Sequence, residues 1–157
     1  MGQMQIRQKN ESGNLKIEVE GQIDEDANFS GHELTSQKII LDLEAVEGIN
    51  SCGIREWIKW IKTAPENSQI IYQKCPKVIV DQINMVAGFL PSNGDVESFY
   101  VPYYCEDSGG EKMILFTKGK EFSGSEIRPP ENILCEDSGE EMEMDVIEAK
   151  YFKFLRG

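Results

Sequence analysis

Two places in the 157-residue sequence put nucleophilic side chains in turn-forming company. The first is Asn50-Ser51-Cys52-Gly53-Ile54, a hydroxyl and a thiol between an Asn and a Gly, directly before a stretch of helical periodicity. Three kinds of chemistry suit it. The Ser51 hydroxyl can cap a helix beginning near Gly53 by accepting a backbone N–H, and Asn50 could serve equally well. The same hydroxyl can carry a phosphate, which the positive end of a helix would stabilise. The Cys52 thiol could act as a nucleophile, but such chemistry wants a base, and the only histidine is His32, in the polar stretch NFSGHELTSQ. We therefore expect Cys52 to be a small buried thiol and Cys75, at the end of a strand, to be core-like.

The second place is a near-repeat. Cys105-Glu-Asp-Ser108-Gly-Gly-Glu111 and Cys135-Glu-Asp-Ser138-Gly-Glu-Glu141 share C-E-D-S-G-x-E at an offset of 30 residues. The pair resembles the two knuckles of a zinc ribbon, whose pattern is C-x-x-C-G twice, with the second Cys of each replaced by Ser108 and Ser138. The resemblance implies two tight turns facing each other. Two thiols and two hydroxyls are a poor zinc set, even with Asp107, Asp137 or neighbouring Glu nearby, so the expectation is no metal and an appendage held by strand pairing. A Cys105–Cys135 disulfide is geometrically conceivable if the knuckles face each other, although a reducing compartment opposes it. Tyr103, Leu115, Phe116, Ile133, Leu134, Val146, Tyr151, Phe152, Phe154 and Leu155 supply apolar surface for a small core. EAKYFKFL is too apolar for a free tail, which places Gly157 two or three residues beyond an ordered element.

The elements that must position these groups are legible from periodicity. Leu15, Ile17 and Val19 alternate with Lys16, Glu18 and Glu20, the signature of a strand with one buried face. A short strand around residues 3–8 should pair with it through the turn NESGN at 10–14. KIILDLEAV, nearly all apolar before Asp42, predicts an interior strand covered on both faces. Ile54, Trp57, Ile58 and Ile61 recur at helical spacing, predicting a helix from Ser51 to about Ala64, before Pro65. QIIYQKC is another strand, Ile79, Ile83, Val86 and Leu90 mark a second helix closed by Gly88 and Pro91, and DVESFYV supplies a last strand. This order predicts an α/β fold, a mixed β-sheet with helices packed on one face, spanning residues 1–101. A small β-rich, zinc-ribbon-like region would follow over 102–157.

GQID (21–24), IILDLEAVEGINSCGIREW (39–57) and QIIYQKCPKVIVDQINMVAGFL (69–90) together resemble the STAS domain, the fold of bacterial anti-sigma factor antagonists and of the cytoplasmic part of sulfate transporters. The resemblance covers roughly residues 3–101. The family's D-S-[ST]-G-[LIV] turn aligns with Asn50, Ser51, Cys52, Gly53 and Ile54, and its Gly-Glu-Leu-Asp with Gly21 to Asp24. The resemblance implies that Ser51 is the residue a partner kinase phosphorylates, that Asp24 lies beside it, and that the partner is an anti-sigma factor of the ATP-binding kinase type. Asn50 stands where the family has Asp and Cys52 where it has Ser or Thr. Asn keeps a local hydrogen bond but lacks the carboxylate charge.

Composition narrows the function class. The formal charge is -12, and residues 105–148 alone hold 13 acids against 4 bases. Such a surface repels phosphate backbones and anionic lipid, so neither nucleic acid nor membrane is an expected partner. No apolar run approaches the roughly 20 residues of a membrane span, and no basic and apolar leader opens the sequence, which points to a cytoplasmic protein with reduced thiols. No G-x-x-x-x-G-K-[ST], G-x-G-x-x-G or H-E-x-x-H occurs, so the expectation is a non-enzymatic signalling module without cofactor that binds a protein. Trp60, Met85 and Phe89 lie off the core stripes and offer apolar contact surface. The alternatives are a structural or assembly subunit, or a small-molecule sensor with a pocket near Asp24 and Ser51.

Overall fold

The alternation at Leu15, Ile17 and Val19 does what its period dictates. Strand β1 (Gln5–Glu11) pairs antiparallel with β2 (Asn14–Ile23), from Gln5 opposite Glu20 to Glu11 opposite Asn14. The connection is only Ser12-Gly13, shorter than the five-residue turn expected, because β1 runs three residues further than its polar sequence suggests. The computed structural model describes residues 3–156, so the expectation for Gly157 lies outside the described residues.

Beyond the hairpin the sheet is parallel. Strand β3 (Lys38–Asp42) lies beside β2, and β4 (Val46–Ile49) continues past a turn to pair with the end of β2. Helix α1 (Ser51–Ile61), β5 (Gln69–Gln73), α2 (Lys77–Met85) and β6 (Gly94–Val96) follow. The order across the sheet is β1-β2-β3-β5-β6 with β4 against β2, one antiparallel edge on a parallel body. One face carries Leu15, Ile17, Val19, Ile39, Leu41, Ile70 and Tyr72, all buried. The other carries Lys16, Glu18, Ile40, Ile71 and Gln73, none of them buried. The expectation that β3 is covered on both faces therefore fails: its neighbours are as open as Ile40 on that side, and the alternation is that of a one-sided sheet.

Helix α1 covers the apolar face with Gly53, Trp57, Trp60 and Ile61, while Ile54 and Ile58 are only half-buried. The buried stripe is thus turned toward Trp60 relative to the sequence reading. Trp60 is 6% exposed, stacks on Phe29 at 4.4 Å and donates its indole N–H to the His32 carbonyl, so it is not free contact surface. Phe89 is likewise fully buried, stacked on Trp57 at 5.6 Å, because α2 ends at Met85 and the chain turns back under it. Only Met85 of the three expected surface apolars is exposed. Beneath them Trp57 Nε1 donates to the Tyr72 hydroxyl, which donates to the Phe89 carbonyl. Burial pushes the Tyr72 pKa far up, keeping it a neutral donor.

DVESFYV divides. Its first part is β6 beside β5, and after Glu97 the chain enters β7 (Ser98–Tyr104), across position 101 and into a second, three-stranded sheet. Strand β8 (Glu111–Thr117) pairs antiparallel with β7 on one side, and after β9 (Phe122–Ser123) and β10 (Glu126–Ile127), β11 (Glu143–Met144) pairs on the other. Cys75 bridges the two sheets through its N–H to the Ser98 carbonyl and its carbonyl to the Tyr100 N–H. It is buried and core-like, with its thiol pKa pushed up by burial.

Helix α3 (Glu148–Tyr151) and a 3-10 turn over 153–156 end the described chain. Tyr151 and Phe152 are buried against Phe99, and the Tyr151 hydroxyl donates to the Tyr100 carbonyl. Asn84 of α2 clamps this end from both sides: its amide donates to the Tyr151 carbonyl and its oxygen accepts the Phe154 N–H, each at 2.9 Å. Of the apolar residues expected to build this core, Leu134 is instead 50% exposed.

Candidate functional site

The Asn50–Gly53 turn sits where β4 ends. Asn50 itself is the N-cap of α1: its side-chain oxygen accepts the Gly53 N–H at 2.9 Å, and its carbonyl accepts the Ile54 N–H. Ser51 therefore does not cap the helix. It is the first helical residue, at the predicted start of the helix, and its side chain is exposed. The helix stops at Ile61 rather than near Ala64, because the chain already closes into single turns at Thr63 and Ala64.

What fixes this turn is the end of β2. The Asn50 N–H donates to the Ile23 carbonyl at 3.1 Å, and Gly53 packs so closely there that an added Cβ would lie 2.0 Å from the Ile23 oxygen and 3.1 Å from the Asp24 nitrogen. Only glycine permits that approach. It seats the start of α1 on Ile23-Asp24, bringing Asp24, Asn50, Ser51, Cys52 and Gly53 into one neighbourhood. The Asp24 carboxylate is engaged locally, accepting the Asp26 N–H at 3.0 Å. Glu25 is the residue sequence reasoning missed: the Asn50 amide donates to its carboxylate at 2.9 Å, which lowers the Glu25 pKa. Nothing in the run Asp24-Glu25-Asp26 distinguishes Glu25 before the fold places it. Cys52 is half-buried rather than sealed in the core, with the Arg55 guanidinium, one turn along α1, 3.7 Å from its sulfur.

The second cluster is assembled by β7, β8 and the segment before β11. Both C-E-D-S-G stretches form the same turn. The Cys105 carbonyl accepts the Gly109 N–H and its N–H donates to Gly110; the Cys135 carbonyl accepts the Gly139 N–H and its N–H donates to Glu140. Gly109 and Gly139 have φ of 74° and 76°, the left-handed conformation such a bend needs. Each Ser oxygen accepts an N–H of its own turn, Ser108 from Gly110 and Ser138 from Glu140.

The turns face each other. Cys105 Sγ lies 3.6 Å from Ser138 Oγ, and Ser108 Oγ lies 3.4 Å from Cys135 Sγ. Four thiolates on one zinc at a Zn–S distance of about 2.3 Å would stand about 3.8 Å apart, so the spacing is close to that of a ligand tetrahedron. The chemistry does not match it. Two corners are neutral hydroxyls, and among the described residues no three His, Cys, Asp or Glu side chains gather as a metal set. The neighbouring Cys105 and Ser108 side chains and the Ser138 turn lower the Cys135 pKa to about 6.

A cavity of about 680 Å³ lies between residues 27–35 and Glu56, Lys59 and Trp60 of α1, with Thr63 just past that helix, away from its Ser51 end. Among the described residues no helix is long and apolar enough to cross a membrane. The chain matches no family model, and no curated protein matches it.

Proposed function

We propose that this chain is a non-enzymatic signalling protein: an STAS-like unit, similar to an anti-sigma factor antagonist, with a degenerate zinc-ribbon-like extension. It binds a protein partner through the Ser51 end of α1 and is switched by phosphorylation at Ser51. The observation that carries this reading is the placement of Ser51, exposed at the first position of a helix whose start is pinned by Asn50 and Gly53. A phosphate there adds about -1.5 to -2 charges near the exposed Glu25 and Asp26, at the start of a helix. A partner that packs against the neutral hydroxyl would meet repulsion and a desolvation cost after modification. A differential affinity of about 1.4 kcal/mol shifts binding tenfold, so one such group suffices for a switch.

The mixed sheet with α1 and α2 over its apolar face is compatible with the STAS resemblance, and the paired turns with the ribbon resemblance. On this reading the partner is an anti-sigma factor of the ATP-binding kinase type, which would act both as kinase and as target. The sensor alternative has a specific observation behind it, the cavity beside α1, but that cavity is lined by Phe29, His32, Trp60 and Thr63 rather than by Asp24 and Ser51. Incubation with a native extract and ATP, followed by phosphosite mapping, tests the switch. Phosphate on Ser51, with a partner captured by wild type and Ser51→Ala but lost by Ser51→Asp, is the expected result. An unmodified Ser51, with equal capture by all three chains, would overturn it.

A further inference from the structure

Cys105 and Cys135 come from turns 30 residues apart, yet they share one small polar pocket. They are 1% and 4% exposed, covered by turn residues that are themselves exposed. Ser108 Oγ lies 3.4 Å from the Cys135 sulfur and Ser138 Oγ lies 3.6 Å from the Cys105 sulfur, so each sulfur has a hydroxyl of the other turn beside it. We propose that the pair is a peroxide-reactive dithiol, with Cys135 as the attacking sulfur and Cys105 as the resolving one, closing reversibly to a Cys105–Cys135 disulfide.

Two hydroxyls in place of two thiols make the difference. Where a four-thiol site would bind a metal and silence its sulfurs, Ser108 and Ser138 leave two sulfurs unligated while supplying donors that stabilise a thiolate. The charged groups around the pair are Glu106 and Asp107 on the first turn, Glu136, Asp137 and Glu140 on the second, and Lys112 on β8. Lys112 reaches Glu136 at 3.7 Å and the Leu134 carbonyl at 3.3 Å. Burial disfavours a thiolate, so the lowered pKa of Cys135 is owed to the Cys105, Ser108 and Ser138 groups beside it. The narrow access favours a small oxidant.

The Cys135 thiolate attacks one oxygen of a hydroperoxide, the O–O bond breaks, and the leaving hydroxide takes a proton from solvent. Cys135 is then a sulfenic acid. The Cys105 sulfur displaces its hydroxyl, an S–S bond forms, and that hydroxyl leaves as water with the Cys105 proton. The two sulfurs have lost two electrons and the peroxide has gained them. A dithiol reductant reverses the step by exchange.

The test uses the full chain and hydrogen peroxide in modest excess, followed by intact mass and non-reducing peptide mapping. The expected product is lighter by the two thiol hydrogens, yields a linked Cys105–Cys135 peptide, leaves Cys52 open to alkylation, and reverts with dithiothreitol. Its Tm should rise by roughly 5–10 °C, since the bridge closes a loop of about 30 residues. In the untreated protein, the alkylation rate of Cys135 should rise with pH through a midpoint near 6, moved upward in Ser108→Ala. Peroxide that over-oxidises Cys135 to sulfinic acid while Cys105 stays free, or that modifies only Cys52, would overturn the proposal, as would an untreated Cys135 that titrates as an ordinary thiol.

Discussion

Gly53→Ala separates local propensity from tertiary constraint. Helix propensity alone favours Ala over an interior Gly by about 1 kcal/mol. In the structure the new Cβ would stand 2.0 Å from the Ile23 oxygen and 2.5 Å from its carbonyl carbon. Carbon–oxygen contacts settle near about 3.3 Å, so the start of α1 must retreat by roughly 1.3 Å. Both atoms met are backbone in β2, which cannot rotate away, and overpacking of this kind costs about 3 kcal/mol. The retreat also pulls on the Gly53–Asn50 cap, worth about 1 kcal/mol. The net expectation is a loss of about 2–3 kcal/mol, or roughly 4–12 °C in Tm for a chain of this size. Urea unfolding followed by the fluorescence of the buried Trp57 and Trp60 measures it. Gly48→Ala is the control: its Cβ would meet only the Gln22 side-chain amide, with the oxygen nearest at 2.5 Å, and that amide can swing aside, so the change should stay within about 0.5 kcal/mol. A Gly53→Ala protein at least as stable as wild type, or a Gly48→Ala protein equally damaged, would show that the close approach to Ile23 does not constrain this position.

Tyr72→Phe should cost about 2–4 kcal/mol in urea unfolding, because it leaves the Trp57 indole N–H and the Phe89 carbonyl unpaired in a dry core; a loss below about 1 kcal/mol would mean water or a neighbour replaces the hydroxyl. Asn84→Ala removes both jaws of the clamp on the C-terminal segment, and hydrogen exchange at Tyr151–Phe154 should quicken while the β2–β3 amides stay protected; unchanged exchange would assign docking to Phe152 packing alone. The purified protein should carry no stoichiometric zinc, and chelator should leave its thermal transition in place. Ser108→Cys with Ser138→Cys should create a zinc site that chelator then destabilises, as the 3.4 and 3.6 Å spacing is already near that of ligands; absence of zinc uptake would show that the turns cannot close on a metal.

What depends on short-range chemistry was legible in the residues alone. Period-two alternation set the buried face of β2, Asn and Gly around Ser51 announced a helix start, and the repeated C-E-D-S-G announced two like turns, because each pattern is read by residues within a few positions of one another. The tertiary structure decided the rest. An apolar run such as Ile39-Ile40-Leu41 does not state whether one or two faces will be covered, since that depends on which helices arrive. Nor does helical spacing reveal that Trp60 is sealed by Phe29, from a segment with no regular structure, or that Phe89 folds back under α2. Asn50 rather than Ser51 became the cap because the end of β2 holds its backbone, and Glu25 became its partner only through that same contact. The four side chains of the paired turns could be named from spacing. That they face one another, each sulfur beside the other turn's hydroxyl, follows from β7 holding β8 on one side and β11 on the other, a pairing between residues about 40 positions apart.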